Sequence, residues 1–350
     1  MKITQMIKRE NFFEINERTL KKYYKESTKG RRLYIYPALN AIVTACPSSA
    51  VRKYLYTEYR VSGSFLKRIL VRIYVFVLLH SFGIFAAKSI KIPNCANRNT
   101  LIYPCNKKYR IFDFDQSVVS VVPKAGFPQN DLVKEIEFRR NNPANFVPAL
   151  ITFGEDEYTE AIIDGFPVAR SGDQMTTLSD EAYRIWSDYA AKTCESVEVE
   201  QYAKALKDEA RVLVNNLVHR GKAVDKDRIF FLCDMLYREA QGYGGSILVG
   251  LSHGDLQPGN IWLENGTNRI YIIDWEAYGR RSVNYDMATL YEGIRRVDGL
   301  QRFVKMKNLA HCIVLMEDLL FHLGELRNLP EAFGVKDFER FLKVLESRYV

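Results

Sequence analysis

The segment His253-Gly254-Asp255-Leu256-Gln257-Pro258-Gly259-Asn260 constrains this chain most, because it sets a polar turn between apolar runs. Ile247-Leu248-Val249 precedes it and Ile272-Ile273-Asp274-Trp275-Glu276 follows, so Asp255 and Asn260 share a turn while Asp274 ends a strand. Pro258 and Gly259 shape that turn and bring Asp255 and Asn260 towards one pocket. One carboxylate to orient a hydroxyl, with an amide and a second carboxylate to hold magnesium, is the set that phosphoryl transfer from a nucleotide needs. Read alone, the segment has a plain turn between two strands as its bland alternative. The second segment, after the hairpin-like Glu264-Asn265-Gly266-Thr267-Asn268, is what raises it above that.

At 350 residues, 47% hydrophobic and 13% aromatic, the chain can bury a large core or two lobes. Its formal charge of +8 is modest and concentrated in the first hundred residues. No aromatic-basic motif accompanies it, so nucleic acid is not an expected partner. The six cysteines contain no CxxC pair and no tight His/Cys cluster, which argues against structural zinc and a disulfide scaffold and favours a cytoplasmic setting. The N-terminus lacks the apolar core of a signal peptide.

Residues 1–93 are basic and Tyr-rich, with no recognisable chemistry. Their notable stretch is the apolar run 69–87, interrupted by Arg72 and His80 and flanked by Lys67, Arg68, Lys88 and Lys91. It is near the ~20 residues of a membrane span, but symmetric flanks give no orientation. A span, a membrane-surface contact and a buried helix or strand pair all stay open. From residue 99 the pattern turns to strands: Thr100–Tyr103 and Tyr109–Phe112 as a hairpin, then Ser117–Val122. A helix follows over Asp131–Phe138, capped by Asn130 or Asp131, then strands Phe146–Phe153 and Tyr158–Ile163. Past Gly165 the spacing is helical over Ser179–Ala191, Val197–Val218 and Lys226–Ala240.

On HGDLQPGN at 253–260 and IIDWE at 272–276, the sequence resembles the aminoglycoside phosphotransferase and choline kinase-like family, relatives of the protein kinases. The resemblance covers roughly residues 99–350. It implies an α+β, two-lobed, protein kinase-like fold: a small antiparallel-sheet lobe over 94–166, a larger helical lobe over 167–350, and an N-terminal extension over 1–93. It also implies ATP and Mg2+ as cofactors and a small-molecule hydroxyl as acceptor, with Asp255 as catalytic carboxylate and Asn260 and Asp274 as metal ligands. His253, grouped with the catalytic residues, is expected to brace the loop. Asp286 looks like the family's stabilising Asp, and a plain helix N-cap explains it equally.

On the nucleotide side the resemblance calls for a Lys on the third strand, paired with a Glu on the following helix. Glu135 fits the Glu, though a solvated helix carboxylate is the plain alternative. The Lys position falls on Val121. Lys124 is the candidate, although strand alternation sets it on the wrong face without a bulge, and Lys107 or Lys108 at the hairpin tip are alternatives. Ala161 and Ile163 mark the segment that receives adenine. Trp275 and Glu276 are candidates for the acceptor pocket, with Trp275 equally explained as core. Nothing like a protein-kinase activation segment follows Asp274, so a peptide acceptor is disfavoured. The basic start and the apolar run favour an envelope sugar or glycolipid precursor over an aminoglycoside. The rival class is a kinase-fold nucleotide-binding module impaired by the missing Lys at 121.

Overall fold

The computed structural model describes residues 10–24, 31–58, 65–92, 97–329 and 334–349. They form two units, the first running to Met175 and including Trp262–Ile272, the second Thr176–Ile261 and Ile273–Val350. The fold is α+β, with a large antiparallel sheet in the first unit and mostly helices in the second.

The first unit begins with α1 (Glu10–Tyr24), β1 (Arg31–Tyr36), β2 (Ala41–Thr44), α2 (Ser49–Glu58), α3 (Phe65–Leu79) and β3 (Lys88–Ile92). It continues with β4 (Thr100–Pro104), β5 (Lys108–Asp113), β6 (Val118–Pro123), α4 (Asn130–Asn141), β7 (Leu150–Phe153), β8 (Tyr158–Ala161) and β9 (Gly165–Pro167). From β4 to β8 this is the element order that the family resemblance implies. Strands β1 to β8 build one eight-stranded sheet in the order β3-β1-β2-β4-β5-β6-β8-β7. Residues 31–92 are therefore continuous with the sheet, with Ile42 of β2 opposite Ile102 of β4. The boundary expected at 93/94 lies outside the described residues, and the strands on either side of it share one sheet. The reason is visible in β1 and β2: Leu33, Ile35, Ala41, Ile42 and Val43 are all buried, so both faces of these strands carry core.

Helix α4 lays Leu132 and Ile136 against Val119 and Val121 of β6 and Tyr158 of β8. Its N-cap is Gln129, with no side-chain capping bond, not the expected Asn130 or Asp131. The apolar run 69–87 is not one element. Helix α3 ends at Leu79, where the Ser81 hydroxyl donates to the Leu78 carbonyl and Phe82 and Gly83 take positive φ. A β-carbon at Gly83 would collide with the Tyr34 ring, so the chain turns there. Among the described residues no helix is long and apolar enough to cross a membrane.

The second unit holds α5 (Met175–Ala190), β10 (Glu195–Glu198), α6 (Val199–His219), α7 (Lys226–Tyr243) and β11 (Ser246–Ser252). The hairpin β12 (Ile261–Glu264) and β13 (Ile270–Ile272) follows and joins β9 in a three-stranded sheet of the first unit. The chain ends with β14 (Gly279–Ser282), α8 (Asn284–Met287), α9 (Val297–Phe303), α10 (Leu309–Asn328) and α11 (Val335–Glu346). Val197 and Glu198, expected to open a helix, instead close β10, because Glu195–Glu198 pairs with β11. Helices α6, α7, α10 and α11 enclose an apolar core of Leu, Ile, Val and Phe side chains.

Candidate active site

Strand β11 ends at Ser252, and the loop 253–260 then turns between two β-strands. Gly254 takes φ +83, and a β-carbon there would lie 2.1 Å from the Ala277 carbonyl oxygen. Only glycine fits that approach. Asp286 holds the start of the loop. Its buried carboxylate accepts from the backbone N–H groups of His253 (2.8 Å) and Gly254 (3.0 Å), the Ser252 hydroxyl and the Trp186 indole. It lies inside α8, whose N-cap is Val283, so the N-cap explanation does not apply.

His253 is fully buried. One ring nitrogen, Nδ1, accepts from the Asp255 N–H at 3.2 Å, and Nε2 lies 3.0 Å from the Ile273 carbonyl. The pattern assigns the neutral tautomer with its proton on Nε2, donating to Ile273. His253 thereby ties the Asp255 backbone to the segment preceding Asp274. Trp275 packs against its ring at 4.4 Å and against Trp186 at 5.2 Å. Trp275 has no exposed surface, so the expectation that it lines an acceptor pocket is replaced by a core role. Glu276, beside it, is half-buried.

The Asp255 carboxylate accepts from both sides. Gln257 Nε2 donates to its two oxygens at 2.9 Å each, and Asn260 Nδ2 donates to Oδ2 at 3.2 Å and to the Asp255 carbonyl at 2.9 Å. Asn260 also accepts, through its backbone carbonyl, from the Ile273 N–H at 2.9 Å. This bond draws the residue before Asp274 onto Asn260. Asp274 itself has φ +71, a left-handed conformation that a non-glycine residue adopts at a cost of order 1–3 kcal/mol.

Sequence reasoning missed Gln257 and Arg295. Arg295 Nε lies 3.3 Å from Asp255 Oδ1, and its Nη2 donates to the Gly254 carbonyl at 2.8 Å. The same guanidinium pairs with buried Asp318, donates to the Tyr285 hydroxyl and stacks on Phe321 at 3.4 Å. Gln257 was in plain view within the motif. Arg295 is 40 positions past Asp255 in an irregular stretch, with no pattern to point to it.

Burial pushes the Asp255 carboxyl above its ordinary range, while Arg295 and the Gln257 amide pull it back. The neighbouring Asp274 carboxylate adds to the upward push. The two carboxylates are thus within electrostatic reach of one another.

In the first unit, Glu135 is buried on α4 and accepts the ammonium of Lys108 at 2.7 Å and the Tyr158 hydroxyl at 3.0 Å. Lys108 opens β5 opposite Pro123, and Arg110 lies opposite Val121, so these four residues share one face of the sheet. Val121 is fully buried in that core. A lysine two positions along the face, on the neighbouring strand, makes the ion pair that the resemblance assigned to position 121. Lys107 pairs with Asp131 at 2.7 Å. Lys124 Nζ donates to the Cys105 carbonyl and sits 5.4 Å from the Tyr109 ring centre. This corrects the sequence candidate: Lys108, not Lys124, meets Glu135, because strand alternation holds Lys124 off that face.

Ala161 closes β8 opposite Val118, and the Ile162 N–H donates to the Ser117 carbonyl. Ala161 and Ile163 line a groove of about 750 Å³ in the first unit, together with Arg139, Leu150 and Tyr271.

No family model matches the chain, and no curated protein matches it. Solved structures do resemble it. One is the ethanolamine kinase of Plasmodium vivax, with TM-score 0.45, 12% identity, and 87% of this chain and 95% of that chain covered. Another is a choline kinase from Cryptosporidium parvum, with TM-score 0.42, 13% identity and coverage of 71% and 88%. A third, an aminoglycoside-3′-phosphotransferase of type VIII, gives TM-score 0.40 at 14% identity, covering 71% and 94%.

Proposed function

We propose that the chain is an ATP- and magnesium-dependent phosphotransferase that moves the γ-phosphate to a hydroxyl of a small molecule in the cytoplasm. The observation that carries this reading is the joining of Asp255 and Asn260 by a side-chain hydrogen bond, with Asp274 drawn beside them through Ile273. In this reading Asp255 is within reach of an acceptor hydroxyl and takes or orients its proton. The acceptor oxygen bonds to the γ-phosphorus, the bond from that phosphorus to the β-γ bridging oxygen breaks, and ADP leaves. The displaced proton resides on Asp255 or on the new phosphate ester.

The residues present fit magnesium. The Asn260 amide nitrogen is committed to Asp255, which leaves its amide oxygen on offer, and Asp274 adds a carboxylate. Both are hard oxygen donors. Bound there, the ion would neutralise phosphate charge. Lys108, steadied by Glu135, is the proposed phosphate contact. That pairing also weighs against the impaired-module reading, which rested on the absence of a lysine at 121.

The test is transfer of labelled γ-phosphate from ATP, with magnesium, to a panel of sugars, amino sugars, choline-like alcohols and lipid-linked saccharides. At least one acceptor should be labelled, and Asp255→Asn should lose ~10²–10⁴ of that rate. Tight ATP binding with no transfer to any acceptor would favour the binding-module reading. Full turnover in Asp255→Asn would end the catalytic assignment.

A further inference from the structure

Helix α3 is built from two apolar faces, and only one is covered among the described residues. Val75, Leu78 and Leu79 are buried in the core beneath the sheet, with Val71 packed beside them. The other face carries Phe65, Leu66, Leu70, Ile73 and Phe76, each more than half exposed, and the turn after the helix adds Ile84 at 80% exposure. Eleven of the large apolar side chains exposed among the described residues fall between Phe65 and Phe85. A concentration of that size marks a contact surface.

The charge beside it selects the partner. Helices α2 and α3 bound a groove of about 950 Å³, lined by Arg52, Lys53, Arg68 and Arg72 together with Phe65, Ile69, Ile73 and Phe76. Among the described residues no carboxylate lines it. None of the four cations forms an ion pair among the described residues. Arg52 donates to His80 Nε2 at 3.2 Å, and His80 Nδ1 donates to the Phe76 carbonyl. The guanidinium is thus bonded to an imidazole and meets no carboxylate among the described residues.

We propose that this face docks on an anionic phospholipid surface, with the α3 side chains entering the headgroup–acyl boundary and the four cations receiving lipid phosphates. An apolar helix face bordered by unneutralised Arg and Lys is the arrangement that interfacial helices use. At 15 residues and 1.5 Å rise per residue, α3 is about 22 Å long. That length suits lying along a surface and falls short of spanning it. The inference is independent of the phosphotransfer reading.

The experiment is flotation of the full chain with vesicles of phosphatidylcholine alone and of phosphatidylcholine with phosphatidylglycerol. Binding should be ~10-fold or more stronger to the anionic vesicles and should fall as salt is raised. Leu70→Glu/Ile73→Glu should lose binding to both vesicle types. Arg68→Gln/Arg72→Gln, which leaves the apolar face intact, should lose the anionic preference alone. Equal binding to both vesicle types, or binding to neither, overturns the proposal. So does a lipid-free dimer, seen by light scattering, that Leu70→Glu/Ile73→Glu dissociates, because a second copy would then be the occupant.

Discussion

The loop around Asp255 and the ion pair at Glu135 both hold a charged side chain in place, by opposite means. Asp255 is fixed by its near neighbours Gln257 and Asn260, with Asp286 gripping the loop's entry from beyond it. Glu135, on helix α4, is fixed by Lys108, 27 positions earlier on strand β5. The first draws its amide donors from the same loop as Asp255, although Asp286 and Arg295 reach it from further along the chain. The second exists only once α4 packs on the sheet that β5 and β6 build. A site built locally keeps its residue positions, whereas one built across a sheet lets a charge move between strands and still reach its partner.

The largest expected effect is in the loop. Asp286→Ala would take the shared carboxylate acceptor from four donors, and the His253 N–H and the Ser252 hydroxyl would lose it at ~1–3 kcal/mol each, while the Gly254 N–H keeps the Ser252 hydroxyl at 3.1 Å. Its melting temperature should drop sharply, and phosphotransfer should fall by ~10²-fold or more even at temperatures where the chain stays folded. An intact Tm would show that Asp286 is not the clamp.

The pair across the sheet should respond differently. Lys108→Met is expected to raise the KM for ATP by ~10-fold or more, about 1.4 kcal/mol of binding. Lys124→Met should stay within ~2-fold. The reverse ranking would return the phosphate contact to Lys124.

Arg295 tests the electrostatics of the loop. Burial raises the Asp255 carboxyl and Arg295 lowers it, so a proposed base at 255 is ionised only above its raised pKa and activity falls below it. Removing the guanidinium charge should move the acid limb of kcat/KM upward, by roughly one pH unit. Arg295→Gln is best made in an Asp318→Asn background, so that no buried carboxylate is left unpaired. A limb that stays at the pH of Asp318→Asn alone would separate Arg295 from Asp255.

What could be read from sequence follows the same division. The turn at 253–260, the strand before Asp274 (ending at Ile272, two residues earlier than expected) and the order from β4 to β8 were visible because each depends on residues within one element or the next. Residues 31–92 were not readable as part of the sheet. Their strands are short and bordered by the apolar helix α3, and strand pairing such as Ile42 with Ile102 leaves no local signal. Trp275 looked available for an acceptor because its sequence neighbours are polar. Trp186, which covers it, comes from a helix 89 positions away.

In the proposed reading, Asn260 and Asp274 offer their oxygens to one magnesium–nucleotide centre. Isothermal titration of ATP into wild type, Asn260→Ala and Asp274→Ala, with and without magnesium, tests it most directly. Magnesium should strengthen ATP binding in the wild type and in neither variant, while magnesium-free binding stays alike in all three. Magnesium enhancement that persists undiminished in both variants would contradict it.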